Sequence, residues 1–183
     1  MLPVSHGSTG AEDYQSAAFF IRHDPTRKEF LFFGDVEPDS LAAHPQTIYV
    51  WNIVAHKFPK FLSTIFIECS YPSGRKDDQL YGHLSPEHLV NELVALAEEV
   101  LKYKSSTSTR RARKKQKVVL DPEALRGSLA GLRVVIVHCK DDMRSRVAPR
   151  QIILEQVRAL VHAKGLGAEI IAAEQGMHIS EWL

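Results

Sequence analysis

A run of apolar residues that stops at a glycine and an aspartate constrains this chain more than any other stretch. Residues 29–40 read EFLFFGDVEPDS, and the apolar residues 30–33 form too short a run for a helix. We predict a strand buried on both faces, because large apolar and aromatic side chains fill a covered sheet. Gly34 allows a tight turn, and Asp35 then follows the carboxyl end of the strand, where open α/β sheets bind their ligands.

Two further predicted strands end in residues of similar chemistry. Residues 64–67, TIFI, are followed by Glu68, and residues 133–137, RVVIV, are followed by His138. Carboxylates and imidazoles ligate metals and transfer protons, so three such strand ends favour one shared site. The alternative is that each residue is an ordinary polar group after a strand.

The composition limits the class of protein. A chain of 183 residues is long enough for one domain with a sizeable core. A net charge of +1 argues against a field that attracts nucleic acid or a membrane surface, so neither is an expected partner. The two cysteines provide no disulfide framework and suit a reducing compartment. No apolar run is long enough to cross a bilayer, and we expect a cytoplasmic protein.

Periodicity and breaker residues predict the remaining elements of an α/β (α+β) fold. Residues 16–33 predict an antiparallel hairpin, and residues 41–60 contain a helix interrupted by prolines at both ends. Ser85 and Pro86 begin a helix with a wide apolar stripe. A last helix is predicted from Pro149 to a stop at Gly165.

Residues 104–117, KSSTSTRRARKKQK, differ from the rest of the chain. They contain no apolar residue larger than alanine and end in a basic run. Such a segment cannot bury enough surface to become ordered, so we predict a disordered basic insertion within the domain. The basic run is interpreted as a solvated loop, the alternative being a nuclear-import signal or a site for a phosphate-rich partner.

Several long blocks resemble one known family. The blocks are LPVSHG, SAAFFIR, EFLFFGDVEPDS, IFIECSYPSGRKDDQLYGHLSPEHLVNEL and VVIVHCKDD. Together they look like the carboxyl-terminal two thirds of the class II cyclic-nucleotide phosphodiesterases, which have the metallo-β-lactamase fold. The resemblance implies that residues 1–183 are the C-terminal part of a phosphodiesterase domain. It also implies a partial metallo-β-lactamase-like αββα sandwich, mostly its C-terminal half.

The same resemblance implies an activity and a role for five residues. Members of the family hold two zinc ions and hydrolyse 3′,5′-cyclic AMP to 5′-AMP. His6 and His138 would each ligate one metal, and Asp35 would bridge both. Imidazole and carboxylate groups are ligands that zinc prefers. His83 would protonate the departing ribose oxygen, and Glu68 would hold the His83 ring.

One part of the family pattern is absent from this sequence. The ligand motif H-x-H-x-D-H supplies most of the family's metal ligands, and the chain contains no H-x-H. We therefore expect a truncated product or partial gene model whose activity alone is impaired. Two alternatives stay open. The chain is a degenerate, non-catalytic fragment that pairs with another chain, a homo-oligomer included, or it is another binuclear metallohydrolase such as an RNA 3′-end nuclease.

Overall fold

The computed structural model describes residues 1–8, 13–108, 122–140 and 148–179. Within these residues six strands and three α-helices confirm the predicted mixed α/β class. In chain order the elements are β1 (Leu2–Ser8), β2 (Asp13–His23), β3 (Lys28–Phe33), α1 (Thr47–Lys57), β4 (Leu62–Glu68), a 3₁₀ turn (Asp77–Gln79), α2 (Pro86–Ser108), a second 3₁₀ turn (Pro122–Leu125), β5 (Arg133–Val137), α3 (Pro149–Ala163) and β6 (Glu169–Ala172).

The described strands form one sheet in the order β1-β2-β3-β4-β5-β6. The predicted hairpin is confirmed, because β2 pairs antiparallel with β3 and Phe19 lies opposite Phe32. From β3 to β6 all neighbours are parallel. The carboxyl ends of β3, β4 and β5 therefore lie side by side at one edge of the sheet, as the three strand ends in the sequence required.

β1 is a strand that the sequence pattern did not predict. Pro3 and Gly7 both have low strand propensity, so the segment has a weak local signal. Pairing with β2 stabilises it instead, with Leu2 opposite Ala18, and the register shifts beyond Ser5. This irregular end of β1 brings His6 to the same edge as the parallel strands.

The helices pack against the sheet in one core. α2 lies between α1 and α3 and contacts both. Burial of each large apolar side chain contributes about 1.5–3 kcal/mol, so this layer provides most of the stability. Fully buried members of the core include Leu31, Phe33, Trp51, Ile65, Ile67, Leu93, Val134 and Val157.

The expectation that residues 30–33 are buried on both faces of the sheet is wrong for one face. Phe32 is 39% exposed, and its cross-strand partner Phe19 is 41% exposed. Phe66 of β4 extends this apolar row, with its ring 5.9 Å from that of Phe32. The sequence shows that these side chains are apolar. It does not show that the described helices cover only the face of β3 that carries Leu31 and Phe33.

The first helix begins later than the range 41–60 suggested. α1 starts at Thr47 because Asp39, in the loop before it, satisfies the first amide groups of the helix. The Asp39 carboxylate accepts N–H groups from Gln46 at 3.0 Å, Thr47 at 2.9 Å and Ile48 at 2.8 Å. The loop that carries Asp35 is thereby attached to the start of α1.

The predicted boundary of the basic insertion at Lys104 is also wrong. α2 continues to Ser108, and the hydroxyl groups of Ser105 and Ser106 donate to carbonyl groups one turn earlier in the helix. The helix therefore continues through serines whose composition suggested disorder. The rest of the predicted insertion lies outside the described residues. No helix in the described ranges combines the length and apolarity needed to span a membrane.

Glu92 is a buried carboxyl group that connects α2 to the loop after β3. It accepts Asp39 N–H at 2.9 Å and Trp51 Nε1–H at 2.8 Å. Its pKa is raised from 4.5 to about 7, because burial penalises the ionised form more than these two hydrogen bonds favour it. The charge of the nearby Asp39 carboxylate adds to the increase.

This pKa predicts a pH-dependent stability. An acid with a higher pKa in the folded state binds more protons when folded, so its contribution to the free energy of unfolding falls as pH rises from about 4.5 to about 7. We expect the stability difference between wild type and Glu92→Gln to change by roughly 3 kcal/mol across that range. Urea unfolding at several pH values measures it. Glu98→Gln, on the same helix but half-exposed, is the control, and an equal pH dependence in both variants would contradict the assignment.

Candidate metal centre

All five residues predicted for the site lie at one edge of the sheet. Asp35 follows β3, Glu68 ends β4 and His138 follows β5. His6 comes from the irregular end of β1, and His83 comes from the segment just before α2. The three histidine rings are neighbours, with ring centres 5.0 Å apart for His6 and His83 and 5.2 Å apart for His83 and His138.

Asp35 lies between two imidazole groups. Its Oδ2 is 3.7 Å from His6 Nε2, and its Oδ1 is 3.3 Å from His138 Nδ1. Each carboxylate oxygen therefore faces a different histidine. This is the arrangement that a carboxylate shared by two metal ions requires.

The hydrogen bonding of His6 sets which of its nitrogen atoms can bind a cation. Nδ1 lies 3.0 Å from the carbonyl oxygen of Gly82, which can only accept, so Nδ1 carries the proton. In the neutral ring Nε2 then has a lone pair, and that lone pair faces the Asp35 carboxylate. Two such acceptors are favourable neighbours only when a proton or a cation lies between them.

Glu68 and His83 form a buried pair behind these groups. Their side chains are 1% and 7% exposed, and His83 Nδ1 lies 2.8 Å from Glu68 Oε1. The carboxylate accepts the Nδ1 proton, which fixes the tautomer and leaves Nε2 of His83 for the site. His6, Asp35 and His83 each offer one ligand atom, and these atoms lie within 4.8 Å of one another. By geometry alone, both His83 and His138 are donors beside Asp35.

The Glu68 carboxylate also binds two groups that the sequence did not point to. The backbone N–H of Val36 donates to Oε1 at 2.9 Å, and the Ser70 hydroxyl lies 2.7 Å from Oε2. The same hydroxyl is 3.0 Å from the carbonyl oxygen of His138, and its single proton serves one acceptor at a time. Ser70 follows a predicted site residue by two positions, which is the only signal the sequence held for it.

His138 has a strained backbone. Its φ of 55° lies in the left-handed region, which costs a non-glycine residue about 1–3 kcal/mol. Cys69 N–H donates to the carbonyl oxygen of Val137 at 3.2 Å, and Lys140 N–H donates to that of Ser70 at 2.9 Å, so the chain on both sides of His138 is fixed to the segment that follows β4. The backbone turns at His138 and ends the extended path of β5, and the His138 ring faces Asp35.

Gly82 is the other residue that sequence reasoning missed. It packs against β1 so closely that an added Cβ would lie 2.7 Å from the carbonyl oxygen of His6. Its φ of +77° is also one that glycine tolerates best. A glycine directly before His83 was a visible signal, but only the structure shows that it allows His6 and His83 to approach.

The donor set fits zinc. Neutral imidazole nitrogen and carboxylate oxygen are both zinc ligands, and His6 has the tautomer that presents a lone pair. The thiol of the neighbouring Cys69 does not belong to this set, because it is fully buried and burial raises its pKa well above the usual range. Among the described residues, His6, Asp35 and His83 form the group with ligand atoms within metal-binding reach of one another. The family resemblance names His138 as the third ligand, and that assignment stays a prediction.

Comparison with known proteins places these observations in a family. The family model described as cAMP phosphodiesterases class-II matches residues 1–176. The 3′,5′-cyclic-nucleotide phosphodiesterase of Schizosaccharomyces pombe is 32% identical over 176 residues, which are 96% of this chain and 44% of that protein. The 3′,5′-cyclic-nucleotide phosphodiesterase 1 of Saccharomyces cerevisiae is 35% identical over 170 residues, which are 90% of this chain and 39% of that protein.

A solved structure agrees with the sequence relatives. The crystal structure of unliganded yeast PDE1 matches with a TM-score of 0.72 and 28% identity, covering 94% of this chain and 42% of that chain. The chain thus spans about two fifths of the length of the relatives it matches. These findings confirm the family resemblance, and they show that the fold corresponds to part of a larger one.

The bonding of Glu68 predicts the effect of an isosteric substitution. Glu68→Gln removes the charge, so Val36 N–H and His83 Nδ1–H would donate to a neutral oxygen, while Ser70 could turn its hydroxyl to the His138 carbonyl. We expect the free energy of unfolding to fall by about 1–3 kcal/mol. Urea unfolding of the metal-free chain measures it. Glu155→Gln, exposed on α3, is the matched control, and an unchanged midpoint for Glu68→Gln would contradict the network.

Proposed function

The chain belongs to the class II cAMP phosphodiesterases, and on that basis we propose that its site acts in the metal-dependent hydrolysis of 3′,5′-cyclic AMP to 5′-AMP. The observation that carries the proposal is the placement of Asp35 between His6 and His138, at 3.7 Å and 3.3 Å. An acidic oxygen directed at each imidazole supports a site for two cations. A phosphodiester anion is a suitable ligand for such a pair.

Zinc ions, when bound, lower the pKa of water and neutralise negative charge on the phosphoryl oxygens. His6 and His138 would supply the nitrogen ligands, and Asp35 would supply the shared carboxylate. The side chains of Asp35 and His138 are 36% and 40% exposed, so a nucleotide has access to them.

His83 is the residue that we assign to proton transfer. Opening the cyclic phosphate releases a ribose oxygen, which needs a proton as its bond to phosphorus breaks. His83 donates its Nδ1–H to Glu68, so the proton for this oxygen would come from Nε2 of a ring that carries a proton on both nitrogen atoms. The burial of the pair keeps the ring orientation fixed, which an exposed histidine would lose.

The strength of metal binding is part of the proposal. The sequence contains no H-x-H-x-D-H motif, so the metals would depend on His6, Asp35 and His138, with His83 as the further donor beside Asp35. We infer that this chain holds zinc less tightly than a complete ligand set and that its hydrolysis of cAMP is correspondingly slow. Zinc affinity and turnover are therefore measured separately.

The first test removes the shared carboxylate. Asp35→Asn keeps the shape of the side chain but removes its charge, so we expect zinc affinity to fall by more than about tenfold. Formation of 5′-AMP from cAMP in the presence of zinc should fall with it. Calorimetry and chromatography measure the two effects. Asp24→Asn is the control, since Asp24 is exposed and lies in the β2–β3 turn.

The outcomes of this test separate clearly. Zinc-dependent formation of 5′-AMP that disappears in Asp35→Asn and persists in Asp24→Asn supports the proposal. A chain that leaves cAMP intact at saturating zinc contradicts it, and so does an Asp35→Asn variant with full activity.

The second test examines the proton at His83. His83→Gln should slow cAMP hydrolysis by about 10²–10⁴-fold if the ring donates a proton to the leaving oxygen. Hydrolysis of bis(4-nitrophenyl) phosphate should be much less affected, because nitrophenolate leaves without a proton. A variant that loses both reactions equally would assign His83 a role in metal binding or folding, and would contradict proton transfer.

A further inference from the structure

Tyr71, Arg75 and Tyr81 form a stacked cluster beside the catalytic edge, and we call it the Tyr–Arg–Tyr cluster. The guanidinium carbon of Arg75 lies 3.9 Å from the ring centre of Tyr71 and 5.8 Å from that of Tyr81. The Tyr71 ring also meets the His83 ring, with centres 6.1 Å apart and planes at 74°. The cluster therefore extends outward from the residue that we assign to proton transfer.

The loop that carries this cluster is fixed by contacts with its surroundings. Arg75 Nε donates to the carbonyl oxygen of Gln79 at 2.6 Å, which orients the guanidinium plane. Ser73 N–H donates to the side-chain oxygen of Gln156 on α3 at 3.0 Å. The rings are thus presented in one arrangement before any ligand binds, which lowers the entropic cost of binding.

Tyr81 is the unusual member of the cluster. Its φ of 51° is a conformation that large side chains avoid, yet its ring is 68% exposed. Burial of the Tyr81 ring therefore contributes little free energy to offset the cost of this backbone conformation. Gly82, which follows it, packs against the carbonyl group of His6, so the backbone of the turn that carries Tyr81 lies next to β1. An exposed aromatic ring kept in a strained position beside a reaction site points to a ligand.

We propose that the Tyr–Arg–Tyr cluster binds the purine base of the nucleotide whose phosphate lies at Asp35. The proposal rests on the proposed function and adds the part of the site that recognises the base. Aromatic rings and guanidinium planes stack on bases, and each such contact changes affinity by about five- to hundredfold. The guanidinium plane of Arg75 covers Tyr71 and its Nε donates to Gln79, so the group presents a flat face on which a base could stack.

The experiment compares a nucleotide with the same phosphate lacking a base. AMP and ribose 5-phosphate are titrated by calorimetry into the full chain at one fixed zinc concentration. We expect AMP to bind at least about fivefold more tightly. Tyr81→Asn removes the ring and tolerates a positive φ, so it should weaken AMP binding about tenfold and leave ribose 5-phosphate unchanged.

Two further variants test whether stacking is the cause. Tyr81→Phe keeps the ring and should bind AMP like the wild type, whereas Arg75→Gln should weaken AMP binding and leave ribose 5-phosphate binding unchanged. Tyr49→Ala removes a tyrosine of equal exposure, 67%, on helix α1 and should have no effect.

The results that overturn the proposal differ from those that overturn the proposed function. Equal affinities for AMP and ribose 5-phosphate, or an equal loss of both in Tyr81→Asn, would overturn base stacking and leave the phosphate site intact. AMP binding that depends on Tyr81 while ribose 5-phosphate does not bind would support stacking and contradict the phosphate site. Binding of neither ligand would overturn both.

Discussion

The site depends on one buried carboxylate, that of Glu68. A carboxylate taken out of water is costly unless hydrogen bonds replace those it loses. Here the donors come from three separate segments: Val36 after β3, Ser70 after β4, and His83 before α2. Satisfying this one group therefore fixes the loop that carries Asp35 and the ring of His83 at the same time. Ser70, which also contacts the carbonyl group of His138, extends the constraint to β5.

The sheet explains why these segments meet at all. β3, β4 and β5 are adjacent and parallel, so whatever follows them lies at one edge. The backbone departs from regular geometry at this edge, with positive φ values at Tyr81 and His138. Strain of this kind persists only where the surrounding contacts fix the conformation, and such places commonly coincide with chemistry. At His138 the strained residue is the one whose ring faces Asp35.

The sequence predicted the parts of the site that have a local signal. Asp35, Glu68 and His138 each follow an apolar run that ends abruptly, so their place at the strand ends was visible residue by residue. β1 was not predicted, because Pro3 and Gly7 hide a strand that its pairing with β2 stabilises. The roles of metal ligand and proton donor came from family resemblance. The position of a histidine near this edge does not show whether it binds a metal, as proposed for His138, or donates a proton, as proposed for His83.

Other features required the third dimension. The exposure of Phe32 depends on which face of the sheet the helices cover, and the residues next to Phe32 in the sequence do not indicate which face that is. The approach of His6 to His83 depends on Gly82, which lies far from His6 in the chain. The end of α2 was misplaced because serine and threonine were taken as signs of disorder, whereas their hydroxyl groups bond to the preceding turn of the helix. In each case a long-range or context-dependent contact overrode a correct local tendency.

Burial divides the site into two functional layers. Asp35 and His138, which we propose as metal ligands, are accessible, whereas Glu68 and His83 are sheltered behind them. A proton donor benefits from shelter because its ring orientation is then set by one carboxylate and not by solvent. The Tyr–Arg–Tyr cluster continues outward from the sheltered layer through the Tyr71–His83 contact. A base bound there would lie beside His83, to which we assign proton transfer, so recognition and proton transfer would share one side of the site.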